Sequence, residues 1–169
     1  GPMISTVTTS EHDFEIHGVV IDGNRDNRVD QDCEGYRAAW SNAVLFGDSF
    51  QIIGISSTHA VCGSAMELNS VSNFEVSSSS FVDNGAESGG EQPWADGLTL
   101  NDCYSGVVYY NYFGENTDLG IALQHGEYCY IAHNVIENYS LYAYGGAHLA
   151  RCDMSCQMWD NEVYAAEDE

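Results

Sequence analysis

The chain of 169 residues is long enough for a single domain with its own hydrophobic core. It contains four Arg, no Lys and 26 acidic residues, which gives a formal net charge of −22. This charge disfavours nucleic acids, whose phosphates need a basic surface, and acidic polysaccharides unless calcium bridges the carboxylates. We therefore expect a neutral ligand. No apolar run is long enough to span a membrane, so we expect no membrane partner.

The chain begins with Gly-Pro-Met (residues 1–3), which has the form of a remnant left by tag cleavage. We therefore treat residues 4–169 as one domain, and we expect this domain to be part of a larger secreted protein. Residues 4–13 are interpreted as an edge strand or as a cap at the start of the domain. A long excursion from Arg25 to Ser41 comes after the first apolar segment, and a second, rich in Gly, Ser and Pro, runs from Gly85 to Ala95.

A repeated segment begins near residues 14, 50, 74, 106, 129 and 156, at intervals of 36, 24, 32, 23 and 27 residues. Its copies are FEIHGVVIDGN, the weaker FQIIGISSTHA, FEVSSSSFVDN, GVVYYNYFGEN, CYIAHNVIENY and CQMWDNEVYAA. Aligning them predicts one apolar column of Ile16, Val76, Val108, Ile131 and Met158, and another of Ile21, Phe81, Phe113, Ile136 and Val163. Asn111, Asn134 and Asn161 form a polar column between the two. Irregular periods in this range predict a solenoid with insertions on one side.

A further set of short strands comes before most of these copies. Its members are Val44-Leu45, Met66-Glu67-Leu68, Leu98-Thr99-Leu100, Ile121-Ala122-Leu123 and Ala147-His148-Leu149. Because side chains alternate along a strand, Glu67, Thr99, Ala122 and His148 are predicted to point outward. Asn69, Asn101 and Gln124 come soon after. They form either an amide ladder that stabilises stacked coils or a row of hydrogen-bonding groups that faces a ligand.

Large aromatic residues precede several of these strands at similar distances along the sequence. Trp40 lies four residues before Val44, Trp94 lies four residues before Leu98, and Tyr142 and Tyr144 precede Ala147. Aromatic residues from coils two apart would be separated by roughly 10 Å, a spacing that suits two sugars of an extended glycan. We therefore predict sugar stacking on these residues, with hydroxyl contacts from Asp96, Asn101, Gln124 and His125. In the alternative interpretation, the Trp residues only hold their own loops against the solenoid.

Two other groups of acidic and amide residues could bind a metal ion or catalyse hydrolysis. Asp22, Asn24, Asp26 and Asp30 resemble part of a calcium loop, although Asn27 and Cys33 stand where an EF-hand needs Gly and Glu. They indicate either a structural calcium site or a solvated Asp/Asn turn. Asp96, Asp102, Glu115 and Asp118 could supply the carboxylate pair of a glycosidase.

The six Cys show no spacing typical of a zinc site. We expect one to three disulfides in a secreted protein, and buried free thiols are the alternative.

The segments FEIHGVVIDGNR and IAHNVIEN, together with the repeated short strands, resemble the right-handed parallel β-helix, or pectin-lyase-like, superfamily over nearly all of residues 14–164. The resemblance implies an all-β fold of about six coils with two long loops on one side. The short chain, the scarcity of cationic residues and the aromatic side are similar to β-helical carbohydrate-binding modules that recognise xylan. That similarity implies non-catalytic binding of a neutral polysaccharide by a module tethered to a catalytic domain. The alternatives are a small glycoside hydrolase, lyase or epimerase, and a structural or adhesive solenoid.

Overall fold

The computed structural model of the chain describes residues 2–6, 12–27, 41–85, 94–139 and 144–165, which form six stacked coils of short strands. The first coil holds β1 (Ile4–Ser5), β2 (Glu15–His17), β3 (Val20–Asp22) and a 3-10 turn (Arg25–Asn27), and the second holds β4 (Ala43–Ile53) and β5 (Ser56–Thr58). The third holds β6 (Gly63–Ser77) and β7 (Ser80–Val82), and the fourth holds β8 (Ala95–Tyr104), β9 (Val107–Tyr109) and β10 (Tyr112–Gly114). The fifth holds β11 (Leu119–Leu123), β12 (Gly126–Glu127), β13 (Tyr130–Ala132) and β14 (Val135–Asn138). The sixth holds β15 (Gly145–Leu149), β16 (Cys152–Met154), β17 (Gln157–Trp159) and β18 (Glu162–Ala165).

Every pairing between the described strands is parallel, and the coils align in three ladders. The first ladder stacks Ile4, Ala43, Met66, Leu98, Ile121 and Ala147. The second stacks Ile16, Ile52, Val76, Val108, Ile131 and Met158. The third stacks Ile21, Ser57, Phe81, Phe113, Ile136 and Val163. The predicted apolar columns are therefore confirmed.

Two columns of stacked phenylalanine rings run from coil to coil through the interior. Phe14 stacks on Phe50 with ring centroids 4.6 Å apart, and Phe50 continues to Phe74 at 5.7 Å. Phe81 stacks on Phe113 at 5.2 Å on the opposite side of the core. Each such ring, once removed from water, contributes roughly 1.5–3 kcal/mol to folding.

The corner between the second and third ladders has the same backbone turn in every coil. One residue of each coil has a left-handed conformation there: Gly18, Gly54, Ser78, Tyr110, His133 and Asp160, with φ between 50° and 63°. The residue after it turns inward, and three coils place the predicted Asn column at this point. Asn134 Oδ1 accepts the backbone N–H of Asn111 at 2.9 Å, and Asn161 Oδ1 accepts that of Asn134 at 2.9 Å. The amides thus bond the backbone where the sheet is interrupted.

A second buried amide column was not predicted. It lies at the corner between the third ladder and the first. Asn84 Nδ2 donates to Asn116 Oδ1 at 2.8 Å, and Asn138 Oδ1 accepts the backbone N–H of Asn116 at 3.3 Å. Both corners of the third ladder are therefore held by side-chain amides.

Two disulfides lie in the fourth to sixth coils. Cys103 and Cys129 join the fourth coil to the fifth, with Cα atoms 6.5 Å apart, and Cys152 pairs with Cys156 inside the sixth coil. Cys62 is also disulfide-bonded. No described cysteine is a free thiol, which confirms the expected disulfides.

Candidate functional site

Two predicted stacking residues, Trp94 and Tyr144, meet at the start of the first ladder. The backbone explains why: Asp118 N–H donates to Ala95 O at 3.2 Å, and Tyr144 N–H donates to Asp118 O at 3.1 Å. Segments from the fourth, fifth and sixth coils therefore lie side by side. The rings of Trp94 and Tyr144 reach across the middle coil and stack with centroids 5.6 Å apart, at an interplanar angle of 30°.

The aromatic pair is open to solvent. Trp94 is 39% exposed and Tyr144 is 73% exposed, so both residues are accessible to a ligand. Single exposed rings are ordinary on a protein surface, whereas rings grouped into one apolar patch can mark a binding site. The other two predicted stacking residues, Trp40 and Tyr142, lie outside the described residues.

Asp118 lies between the two segments that carry the aromatic pair. Its side chain is half-buried, and burial raises the pKa of this carboxyl above its usual range. The charge of His148 opposes that shift in part. A carboxyl in this state can accept or, when protonated, donate a hydrogen bond to a sugar hydroxyl. The local sequence predicts Asp118 only as a member of a carboxylate pair, because burial of a side chain by neighbouring coils has no signature along the chain.

Asp96, predicted to contact a ligand, is directed into the protein. It is 1% exposed, and its Oδ1 accepts the backbone N–H of Leu119 at 3.1 Å. Its Oδ2 accepts the Thr99 hydroxyl, which also lies 2.7 Å from the Ser64 hydroxyl. The carboxylate therefore joins neighbouring coils of the first ladder.

The outward column of the first ladder is covered along much of its length. Glu67, Thr99 and Ala122, predicted to point outward, are all buried, and among the described members of the later coils His148 is exposed. Glu67 Oε1 accepts a hydrogen bond from Asn101 Nδ2 at 2.9 Å. Strand alternation gives the direction of a side chain but not what lies above it, so the sequence did not reveal this burial.

The remaining predicted contact residues lie at the other end of the ladder. Asn101 Nδ2 also donates to Asn69 Oδ1 at 2.9 Å, which is the contact expected of an amide ladder, whereas Gln124 is exposed. Asn101 follows Ala95 by six residues, so this end lies roughly 20 Å from Trp94. The predicted contact residues therefore fall into two separate groups.

His125 belongs to a charged group that we call the His125 cluster: His125, Asp102, Asp153 and Arg151. The imidazole lies between two carboxylates, with Nε2 2.9 Å from Asp153 and Nδ1 2.5 Å from Asp102. Hydrogen bonds to Asp153 and then Asp102 raise the pKa of His125. The bond from Arg151, followed by that from His125, lowers the pKa of Asp153.

Comparison with known protein families assigns this architecture. Residues 5–167 match the family described as the right handed beta helix region. The chain belongs to the right-handed beta helix family. No curated protein and no solved structure matches this β-helix significantly. No helix in the described part of the chain is long and apolar enough to cross a membrane.

The predicted calcium ligands of this β-helix are only partly described, because Asp30 lies outside the described residues. Asp22 Oδ1 accepts the backbone N–H of Asn24 at 2.9 Å and lies 3.0 Å from His59 Nδ1. Asp26 lies exposed in the 3-10 turn. Within the described ranges, no group of three or more His, Cys, Asp or Glu side chains is placed to hold a metal ion. The calcium site stays a prediction, which a comparison of melting temperatures in calcium chloride and in EGTA tests.

Proposed function

We propose that this right-handed β-helix is a non-catalytic module that binds a neutral, xylan-type polysaccharide. The observation that carries the proposal is the solvent-exposed stack of Trp94 and Tyr144, formed by residues from coils two apart. The C–H face of a sugar packs on an aromatic ring of this kind. The pair gives a ligand an apolar platform at the side of the β-helix.

Polar groups beside the pair supply the hydrogen bonds that a sugar also needs. Asp118 is half-buried between the two aromatic segments, and His148 is near enough to influence its ionisation. Carboxyl and imidazole groups bond hydroxyls as donors or acceptors according to their protonation. With Tyr144 they provide both components of a saccharide site, one apolar and one polar.

Net charge supports a neutral rather than an acidic glycan. At −22 the chain repels polyanions in solution. In the described part of the chain, Arg25 pairs with Asp83 at 3.0 Å and Arg151 with Asp153 at 2.8 Å. These two guanidinium groups are therefore already neutralised by the protein's own carboxylates.

Affinity electrophoresis tests the proposal on gels that contain xylan, glucomannan, mixed-linkage glucan or pectin. We expect retardation by xylan and weaker binding by Trp94→Ala. Covering about 60 Å² of ring surface at roughly 25 cal/mol per Å² is worth about 1.5 kcal/mol, or about tenfold in affinity.

Tyr104→Ala is the matched control, because Tyr104 is as exposed as Trp94 and lies at the opposite end of β8. The melting temperature of both variants should remain close to that of the unmodified protein. Equal binding by Trp94→Ala and the unmodified protein, or equal losses in the two variants, would contradict the proposed site.

Hydrolysis of the same glycan is the second candidate, and the observation that favours it is the raised pKa of Asp118. A raised pKa makes a carboxyl easier to protonate, and its protonated form can act as a general acid on a glycosidic oxygen. This candidate predicts reducing-end release that Asp118→Asn removes while leaving retardation on the gel. Asp96 is a poor second carboxylate, because its oxygens bond Thr99 and Leu119 inside the protein.

The cellular context is part of the same proposal. Disulfides such as Cys103–Cys129 persist in oxidising compartments, which supports secretion. A polysaccharide-binding module acts by holding a tethered catalytic domain near its substrate. We therefore place this β-helix outside the cell, joined to a polysaccharide-active enzyme.

A further inference from the structure

We infer that the corner between the second and third ladders forms a second binding site, separate from the Trp94–Tyr144 pair, for one or two rings of a neutral saccharide. We call this site the corner groove. It has a volume of about 500 Å³ and is lined by Ser78, Ser80, Tyr110, Tyr112 and His133, among others. The groove and the Trp94–Tyr144 pair lie at opposite edges of the third ladder, so the two sites are distinct.

The groove arises from the shape of the repeated turn. From the third coil onward a side chain projects at the left-handed residue, and in every coil another projects two positions later, at the start of the third ladder. The residue between them turns inward. Stacking the coils therefore produces two parallel ridges with a channel between them, and Ser79 and Asn111 form its floor. Ser79 Oγ accepts the backbone N–H of Ile55 at 3.2 Å, so this floor belongs to the hydrogen-bonded core.

Side-chain size changes sharply along the first ridge. The second and third coils place Gly54 and Ser78 there, and the fourth places Tyr110. One face of the Tyr110 ring stacks on His133 of the next coil, with centroids 5.1 Å apart and an interplanar angle of 13°. The preceding coil offers only the small Ser78 side chain. Tyr110 is 60% exposed, so much of the residue remains accessible to a ligand beside Ser78.

Tyr110 is held in place before any ligand binds. Its ring meets the Tyr109 ring edge-on at 5.2 Å, and the Tyr109 hydroxyl donates to Glu75 at 2.7 Å. His133 supports the ring from one side. A ring fixed in this way loses little freedom when a ligand binds, which favours affinity.

The chemistry of the lining selects a neutral saccharide. Among the described residues that line the corner groove, none carries a carboxylate, although the chain has 26 acidic residues. A larger groove near Phe50 differs in this respect, because Asp13, Glu15 and Glu75 line it. Ser78 and Ser80 line the same groove as the exposed Tyr110. An apolar plate next to uncharged hydroxyls matches the C–H face and hydroxyl edge of a sugar.

The length of the open part limits the ligand. The ridge is low over the second and third coils and rises at the fourth. At roughly 4.8 Å per coil, the low part is about 10 Å long along the axis of the β-helix. That distance accommodates one or two sugar rings. We therefore expect recognition of a chain end or a short segment of a neutral glycan.

Nuclear magnetic resonance titration with xylotetraose, cellotetraose and mannotetraose tests the inference, with trigalacturonate as the acidic control. The backbone amides of Ser78, Ser80 and Tyr110 report on the corner groove, and the indole N–H of Trp94 reports on the other site. We expect saturable shifts of the corner amides with at least one neutral tetrasaccharide and none with trigalacturonate. Tyr110→Gly should weaken this binding at least about fivefold, and Trp94→Ala should leave it unchanged.

Glycine is the appropriate replacement at Tyr110 because the backbone there is left-handed, with φ of 55°, so the variant avoids strain and should fold. Shifts confined to the Trp94 indole would overturn the inference and leave the proposed function intact. Shifts confined to the corner amides would support the inference and remove Trp94 from the proposed site. The absence of shifts at both sites with all three neutral tetrasaccharides would overturn both.

Discussion

Replacing Asn134 by alanine should reveal how much the buried amide column stabilises the stack of coils. Asn134 Nδ2 lies within hydrogen-bond distance of Val108 O, Ala132 O and Asn161 Oδ1, at 3.0, 3.0 and 2.9 Å, and its two hydrogens are shared among these three acceptors. Its Oδ1 accepts from the backbone N–H and the side-chain amide of Asn111, at 2.9 and 3.0 Å. The side chain is fully buried, so water cannot easily replace these bonds.

The cost depends on which partners remain satisfied after the change. Asn111 Nδ2 keeps a bond to Val76 O at 2.9 Å, and the Asn134 N–H keeps its bond to Asn161. The buried N–H of Asn111 loses its acceptor, which costs about 1–3 kcal/mol, and the other lost bonds contribute about 1 kcal/mol or less each. We therefore expect Asn134→Ala to lower the free energy of unfolding by about 3 kcal/mol and the melting temperature by roughly 6–12 °C.

Urea denaturation followed by far-UV circular dichroism measures this difference. Gln124→Ala is the matched control, because Gln124 is an exposed amide on the first ladder. We expect the control to change stability by less than about 0.5 kcal/mol. A loss below about 1 kcal/mol in Asn134→Ala would refute the reasoning, since the column would then contribute no more than a single ordinary hydrogen bond.

Two further predictions concern the fourth to sixth coils. The pKa of His125 is raised by Asp153 and Asp102, so the stabilisation that it provides is complete below about pH 6.5 and is lost as the pH rises through the folded-state value. The difference in melting temperature between the unmodified protein and His125→Ala should therefore be larger at acidic than at alkaline pH, and a difference independent of pH would show that folding does not raise the pKa of the imidazole. Gly126→Ala would place a methyl group 2.8 Å from Cys103 Sγ and 3.0 Å from its carbonyl oxygen, so calorimetry should show a loss of about 1–3 kcal/mol, and unchanged stability would contradict the packing at this disulfide.

The apolar columns were predictable from the sequence because the physics behind them is local. Alternation along each strand places Val108, Ile131 and Met158 inward, and a one-residue shift would expose all of them. The Asn that comes after each of the later second-ladder strands gave an independent marker of the same register. Two patterns that agree determine the alignment of coils even when the insertions between them differ in length.

The second amide column was not predicted, because a difference in strand length shifts one of its Asn residues out of the common position in the repeat. Asn84 and Asn116 occupy the same position in their copies, but Asn138 occurs one position earlier in its copy. In the structure Asn138 closes the longer strand β14 and still bonds the N–H of Asn116. An alignment without gaps cannot detect such an equivalence.

The aromatic site was predictable only as a set of residues on one side of the β-helix. The sequence places Trp94 and Tyr144 before strands of the same ladder, and coils two apart lie roughly 10 Å from each other. The ring centroids are only 5.6 Å apart, because both side chains lean over the intervening coil. Side-chain conformation at an exposed position depends on tertiary neighbours, so spacing along the chain does not reveal it.

The same charged arrangement occurs twice and links the stability of this acidic β-helix to its ligand preference. Besides the His125 cluster, His59 lies between Asp22 and Asp83, at 3.0 and 3.2 Å, and Arg25 binds Asp83 at 3.0 Å. In both places a histidine of the middle coil lies between two carboxylates from coils two apart, and an arginine neutralises one of these carboxylates. In this chain of net charge −22, Arg25 and Arg151 are therefore paired with the protein's own carboxylates. A surface whose arginines are already paired with carboxylates has little attraction for acidic glycans. We therefore expect a glycan to bind this fold mainly through apolar contacts with exposed aromatic rings.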